Sequence, residues 1–317
     1  MLDATGTLRT TALTELFGVE VQDYDLSEVT TEENFRQLRD LFEEHSALQF
    51  RNQSLTDEAH MRLAGLFGPI EDRKADERKP GEAFTVPDVS NLQEDGTVRA
   101  ETDPHMLDLR SNFLWHCDST FMPVPALVNI LAARIVPSEG GATELASTRA
   151  AWAEMPRDLK AKVEGRGIRH RYSHSRKAIS EELSRLPRFH KWPDQHWKSV
   201  WTNPANGREA LYIASHAYLV DGYDELESAT LLSELTAFCT RPRYVYSHRW
   251  QVGDVLIWDQ RAVMHRGTPW PSEQPRRLSS ICCSARESDG LSSIRIGPAD
   301  DRPLHGTKRI EKGRIDP

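Results

Sequence analysis

Residues His116-Cys117-Asp118, within NFLWHCDSTF, put an imidazole and a carboxylate two positions apart. On an extended chain such residues face one side, so His116 and Asp118 can converge on an ion while Cys117 turns away. The triplet alone is weak: twelve histidines among 317 residues with 22 aspartates produce about one H-x-D by chance. His265, in DVLIWDQRAVMHRG, lies 149 residues further on and closes a strand-rich stretch. Two imidazoles and one carboxylate suit a non-haem Fe(II) centre, because they leave coordination positions open for other ligands. The same donors would also serve a hydrolytic zinc ion, or remain as a degenerate site in a jelly-roll binding protein. No H-E-x-x-H helix is present. Arg276 lies eleven residues beyond His265.

The elements that must position these groups are legible in outline. Phe35, Leu38, Leu41 and Phe42 recur at helical spacing behind Thr30-Thr31, which predicts a helix over 31–45. A strand over Ala47–Phe50 follows, then a helix opened by Thr56-Asp57 and stopped by Gly68-Pro69. Residues 71–83, charged and containing Pro and Gly, read as a solvated loop. Ala126–Val136 is a near-continuous apolar run, as in a strand buried on both sides. Gly140-Gly141 turns the chain into Ala142–Ala146, and short helices start near Thr148 and Pro156. Residues 170–198 show little periodicity and suggest an insertion or lid. Leu211–Ala214, Tyr244–Trp250, Asp254–Trp258 and Leu278–Cys283 are strand candidates, with a hairpin turn at Gly253-Asp254. Asp224–Cys239 reads as an amphipathic helix, and 287–317 as a polar, loosely ordered tail. No compositional break divides the chain, so a single domain over 1–317 is expected, mostly β with flanking helices.

A net charge of −8, from 40 basic and 48 acidic residues, excludes a nucleic-acid or membrane-surface binder as the default. No secretory signal or membrane span is expected. The four cysteines lack C-x-x-C spacing, and Cys282 and Cys283 are adjacent, which argues against a disulfide framework and for a reducing cytoplasm.

From about Leu16 to Arg286 the chain resembles the TauD/TfdA family of Fe(II)/2-oxoglutarate-dependent dioxygenases, and is most similar to its 2,4-dichlorophenoxyacetate dioxygenase branch. The resemblance is carried by LFGPIED (66–72), DVSNL (88–92), NFLWHCDSTFMPVPA (112–126) and VPSEGGATELASTRAAW (136–152). LYIASHA (211–217), RYVYSHRWQVGDVLIWDQRAVMHRG (243–267) and PRR (275–277) extend it. It implies a double-stranded β-helix (a cupin-like jelly roll) with His116, Asp118 and His265 as iron ligands. Thr143 and Arg276 would bind 2-oxoglutarate, the guanidinium gripping the distal carboxylate through two parallel hydrogen bonds; Arg277 takes that place if the register slips by one, since neighbouring strand residues face opposite sides. No catalytic side chain is implied beyond the metal centre. The implied reaction consumes O2 and 2-oxoglutarate, releases succinate and CO2, and hydroxylates a small organic substrate. At a carbon bearing an aryl ether oxygen, the product hemiacetal would collapse to a phenol and an oxo acid. Hydroxylation or desaturation of a natural product or amino-acid derivative is the alternative. A homodimer or tetramer would be ordinary for the family.

One position departs from the pattern. Fifteen residues past the second histidine ligand, the branch carries an arginine that contacts the anionic substrate; here the residue is Ser280. A substrate carboxylate would then need another cation, such as Arg73 or Lys74. Asn112 and His216 match substrate-side residues of the family. His105, His170, His174, His190 and His196 lie in irregular polar segments and are read as non-ligands. Trp115 and Trp258 are read as packing walls.

Overall fold

The computed structural model describes residues 8–296. Ten strands form two facing sheets: β1 Thr10–Ala12, β2 Val19–Val21, β3 Ala47–Phe50, β4 Asp88–Ser90, β5 Ala126–Ile135, β6 Thr143–Ser147, β7 Val245–His248, β8 Val255–Asp259, β9 Val263–Gly267 and β10 Arg277–Ser284. The larger sheet has the order β1-β2-β3-β8-β5-β10-β4, and the smaller the order β7-β6-β9. All these pairings are antiparallel except β2 with β3.

Period-two alternation sorts the side chains. Leu131 and Ala133 of β5, Leu256 and Trp258 of β8, and Leu278 of β10 face Leu145 of β6 and Val263 of β9, filling the space between the sheets. Ile130, Val255, Ile257, Ile281 and Cys283 point to the other face of the larger sheet. There they meet Phe35, Leu38 and Phe42 of helix Glu32–His45, and Leu63, Ala64 and Phe67 of helix Asp57–Phe67. Strand β5 is therefore covered on both faces, which explains its unbroken apolar run. Both helices are capped as their sequences predict: the Thr31 and Thr56 hydroxyls accept from Asn34 N and Ala59 N. Two facing sheets with helices outside make the double-stranded β-helix.

Several sequence expectations need correction. Gly253-Asp254 is no hairpin turn, because β7 and β8 belong to different sheets and the turn carries the chain across. The strand expected over Leu211–Ala214 covers Glu209–Leu211; beyond it the chain leaves the ladder, and Ser215 N donates to Trp115 O. Residues 170–198 are more regular than their sequence. They contain helices Tyr172–Lys177 and Glu181–Ser184, a 3-10 turn at Pro187–His190, and strand Gln195–Lys198 paired with Gly167–His170. These pieces are too short to display a period; buried Leu183 and Phe189 anchor them. Of the expected loose tail, Leu291 and Ile294 are buried on a short helix, whereas 297–317 lie outside the described residues. No helix among the described residues is long and apolar enough to cross a membrane.

Candidate metal centre and adjoining cavity

His265 lies mid-strand in β9, opposite Leu145 of β6. His116 was expected on a strand, yet it forms only an isolated antiparallel bridge, and its partner is His265 itself. His116 N donates to His265 O at 3.0 Å, and His265 N to His116 O at 2.8 Å. The backbone thus fixes the two imidazoles side by side, with ring centroids 4.1 Å apart. After His116 the chain turns, with Ser119 at φ 57°. The turn brings Asp118 back beneath both rings while Cys117 enters the core. The intended alternation holds without the strand that was to supply it.

His116, Asp118 and His265 each offer a ligand atom within 4.8 Å of the others. Asp118 Oδ1 is 3.9 Å from His116 Nε2, and Oδ2 is 3.6 Å from His265 Nε2. His116 Nδ1 donates to Leu114 O at 2.7 Å, which leaves the Nε2 lone pair pointing at the centre. His265 Nδ1 is buried without a protein partner, and its ring is held instead by Trp258 at 4.6 Å. Burial pushes both imidazoles down, His265 to about 3 with His116 adding to the shift. Both are therefore neutral at pH 7. Burial alone would raise the Asp118 carboxyl, but His265, His116, Arg73 and the Asn129 hydrogen bond outweigh it and hold it below the usual carboxylate range. Two neutral imidazoles and one ionised carboxylate are the donor chemistry that Fe(II) accepts.

A second layer fixes Asp118. Asn129 Nδ2 and Gln260 Nε2 donate to Oδ2 at 2.9 and 2.6 Å, Gln260 Oε1 accepts from Asp118 N, and the Cys282 thiol lies 3.5 Å away. Sequence reasoning missed Asn129 and Gln260. The signal for Asn129 was present: it is the one amide in ALVNILAARIV, and a buried amide needs partners. Ser280 extends this layer, its hydroxyl bonding Asn129 Oδ1 at 3.1 Å.

Thr143 begins β6 opposite Gly267, two residues along from the His265 row, a step of roughly 7 Å. Its Oγ1 accepts from Trp250 Nε1 at 3.0 Å, leaving its own O–H free to donate. Arg276 is buried, with Nε and Nη2 donating to Gly141 O at 3.2 and 3.0 Å and its guanidinium 4.8 Å from the Trp270 ring. It has no carboxylate partner among the described residues, and burial brings it down to about 10, so it remains cationic. The glycine pair makes this seat: Gly140 and Gly141 have φ of 70° and 65°. A Cβ at Gly141 would come within 3.1 Å of Arg276 Nε, and one at Gly140 within 2.5 Å of Pro269 O. Arg277 faces away, half exposed and paired with Asp88 at 2.7 Å.

Adjoining the cluster is a small cavity lined by Arg73, Asn112, His116, Asp118, Phe121 and Tyr172, with Ser111, Arg176, Ser215 and His216 completing it. Asn112 and His216 are thus brought in. His216 Nε2 is buried and unpartnered, while Nδ1 lies 3.3 Å from Thr120 Oγ1. Arg73 also reaches the cavity, bonding Ser119 Oγ at 2.8 Å, so its loop is not wholly solvated. Lys74 and Ser280 do not line it. Nor do His105, His170, His174, His190 or His196. Trp258 is a packing wall as expected, and Trp115 lies beneath Arg266 at 4.6 Å.

Comparison with known proteins bears directly on this geometry. The family described as "Taurine catabolism dioxygenase TauD, TfdA family" matches residues 9–282. The alpha-ketoglutarate-dependent 2,4-dichlorophenoxyacetate dioxygenase of Cupriavidus pinatubonensis is 35% identical over 266 residues, covering 83% of this chain and 93% of its own. The (S)-phenoxypropionate/alpha-ketoglutarate-dioxygenase of Sphingobium herbicidovorans is 36% identical over 242 residues, 74% of this chain and 80% of its own. The crystal structure of AAD-2 in complex with Mn(II) and N-oxalylglycine superposes with a TM-score of 0.82 at 30% identity, covering 88% of this chain and 98% of that one. The chain belongs to the TauD/TfdA family and is an Fe(II)- and 2-oxoglutarate-dependent dioxygenase.

Proposed function

We propose that His116 Nε2, His265 Nε2 and one Asp118 oxygen hold Fe(II), and that Arg276 and the Thr143 hydroxyl bind the distal carboxylate of 2-oxoglutarate. The observation that carries this reading is the buried Arg276 guanidinium without an anion, because an unpaired buried charge is costly and a dianionic cosubstrate supplies its partner. When bound, iron with 2-oxoglutarate and O2 supplies the oxidising chemistry that yields succinate, CO2 and an oxygenated product. The chain's own residues orient and exclude. Asn129 and Gln260 keep Asp118 in one rotamer, the His116–His265 bridge fixes both rings, and Trp258 and Trp270 keep water away from the imidazole and guanidinium.

The substrate occupies the cavity between Arg73, Asn112, Phe121, Tyr172 and His216, under residues 170–198 as a lid on a single catalytic unit. An aryloxyalkanoate is the substrate class, oxygenated at the carbon bearing the ether oxygen. Two relatives of about one-third identity are named for aryloxyalkanoates, and stacked aromatic rings line the cavity. A non-catalytic binding protein or a zinc hydrolase leaves the Arg276 seat without a purpose. Four free cysteines fit a reducing, cytoplasmic setting.

Anaerobic addition of Fe(II) and 2-oxoglutarate should produce the visible charge-transfer band of the chelate. Admission of oxygen with a panel of aryloxyalkanoates should then release succinate and a phenol. Folded protein giving neither band nor succinate would overturn the reading.

A further inference from the structure

The cavity is cationic on the side away from the strands. Arg73 and Arg176 both line it, and Asp118, the proposed metal ligand, is the one carboxylate among the described lining residues. Their side chains differ in how far the protein already satisfies them. Arg73 lies 3.4 Å from Glu71 and 3.9 Å from Asp118, so two carboxylates offset its charge. Arg176, on helix Tyr172–Lys177, is mostly buried and meets a single carboxylate among the described residues, Asp108, at 3.3 Å. Asp108 is itself shared with Arg188 at 3.8 Å. Of the five guanidinium N–H groups, Nε uses one on Asp108, Nη1 one on Ser175 Oγ and Nη2 one on Tyr172 Oη at 3.5 Å. Two N–H groups stay without an acceptor among the described residues. Planar packing fixes the guanidinium, 4.6 Å from the Tyr172 ring and 5.1 Å from that of Phe189. Tyr172 in turn stacks on Phe121 at 3.8 Å with an interplanar angle of 3°.

Strand β10, by contrast, offers the cavity no cation: Ser280 is occupied with Asn129. We propose that Arg176 is the substrate's carboxylate receptor, moving anion recognition from the sheet to the 170–198 segment. The substrate class is a carboxylic acid with an aromatic body lying along the Phe121–Tyr172 wall. A guanidinium on a rigid aromatic face and with spare N–H groups binds a carboxylate as a fork, and does so selectively in a site with little water. This rests on the reading of the cavity as the substrate site.

The test is calorimetric titration of the full chain loaded with Mn(II) and N-oxalylglycine, so that no turnover intervenes. Phenoxyacetate, its neutral amide phenoxyacetamide and hexyl sulfate serve as probes. The acid should bind at least tenfold more tightly than the amide, and more tightly than the sulfate. Arg176→Met should remove that preference while leaving the amide and N-oxalylglycine affinities within twofold; Arg176→Lys should keep part of it. Asp108→Asn withdraws the competing charge and should tighten the acid alone, an opposite sign that decides the matter even if Arg176→Met fails to fold. Four outcomes overturn the proposal: no acid preference in the parent, a preference that survives Arg176→Met, equal weakening of acid and amide, or loss of preference in Arg73→Met instead. Tighter binding of hexyl sulfate refutes the carboxylate assignment. Failure of Mn(II) and N-oxalylglycine to bind the parent protein would instead sink the metal-centre reading, a separable result.

Discussion

The two sides of the site, the strands behind the metal centre and the segments that line the cavity, are built by different means. The wall carrying His265, Asn129, Trp258 and Thr143 is made of strand residues whose orientation follows from ladder register. His265 Nδ1 and Trp258 Nε1 are buried there without a protein partner, and Arg276 has no carboxylate among the described residues; Asn129 and Thr143 are hydrogen-bonded by protein. The opposite wall takes Arg73 from a charged loop, Asn112 from a 3-10 turn, and Tyr172 and Arg176 from a six-residue helix. Register holds a ligand set to within a few tenths of an ångström, which a reaction shared across a family requires. Loops and short helices can exchange side chains without disturbing that set, so selectivity is free to drift. Ser280 at the position where an arginine was expected, with the proposed receptor Arg176 on the other wall, would be one instance of such drift.

Substitutions on the strand wall should therefore harm every substrate equally, and those on the other wall only some. The largest effect is expected at His116→Ala, which removes one of three ligand groups. Succinate formation should fall to background with every substrate tested, with circular dichroism unchanged. Residual succinate specific to one substrate would break the comparison, because a strand-wall group would then be acting selectively.

Arg276→Met comes next. Removing the fork should weaken 2-oxoglutarate by about 2 kcal/mol or more, roughly thirtyfold in Kd, while Fe(II) affinity stays unchanged. Without cosubstrate, the melting temperature should hold or rise, because a buried unpaired cation is replaced by an apolar chain of similar length. The melting-temperature increase that 2-oxoglutarate gives the parent protein should disappear. A drop in apo-stability would show that Arg276 stabilises the fold rather than awaiting a ligand.

Asn129→Ala and Gln260→Ala probe the layer behind Asp118. Groups that orient a metal-bound carboxylate are worth about 10- to 100-fold in metal affinity, and each variant should lose an amount in that range by metal-ion titration. Substrate preference should not change in either. An altered preference would mean that Asp118 shifts far enough to reshape the cavity, and that the walls are mechanically coupled.

How much of this was legible in the sequence follows the same division. The strand wall was in part, because period-two alternation is short-ranged: Cys117 and its neighbours and β5 could be assigned sides, whereas Arg276 was preferred to Arg277 only through the family resemblance. What failed there was the means. His116 and Asp118 converge through one backbone bridge and a left-handed turn at Ser119, a pairing across 149 residues that no local pattern encodes. The loop wall was largely illegible. Arg176 and Tyr172 lie in one helix too short to show a period, and Tyr172 meets Phe121 and Phe189 only through tertiary packing. Arg73 was identified only as an available charge, since nothing local reveals that Ser119 and Glu71 are waiting to hold it.

The smallest expected effect sharpens the comparison most, because it separates two adjacent arginines. Arg277 is half exposed and pairs with Asp88 on edge strand β4, whereas Arg276 points inward to Gly141. A surface pair of this kind contributes about 0–1 kcal/mol. Arg277→Ala should shift the urea midpoint slightly or not at all and leave 2-oxoglutarate affinity within twofold. The bulge between Arg277 and Leu278 makes this a real test: an irregular ladder is where a register could slip and exchange the two guanidiniums. Should Arg277→Ala weaken the cosubstrate while Arg276→Met does not, the inward face of β10 is displaced by one residue in solution. Ser280 would then leave Asn129 and the proposed substrate wall would need rebuilding. If instead the two variants differ by more than tenfold in the expected direction, the inward face of β10 holds Ser280 against Asn129 and carries no cation there, leaving the loop wall to supply it.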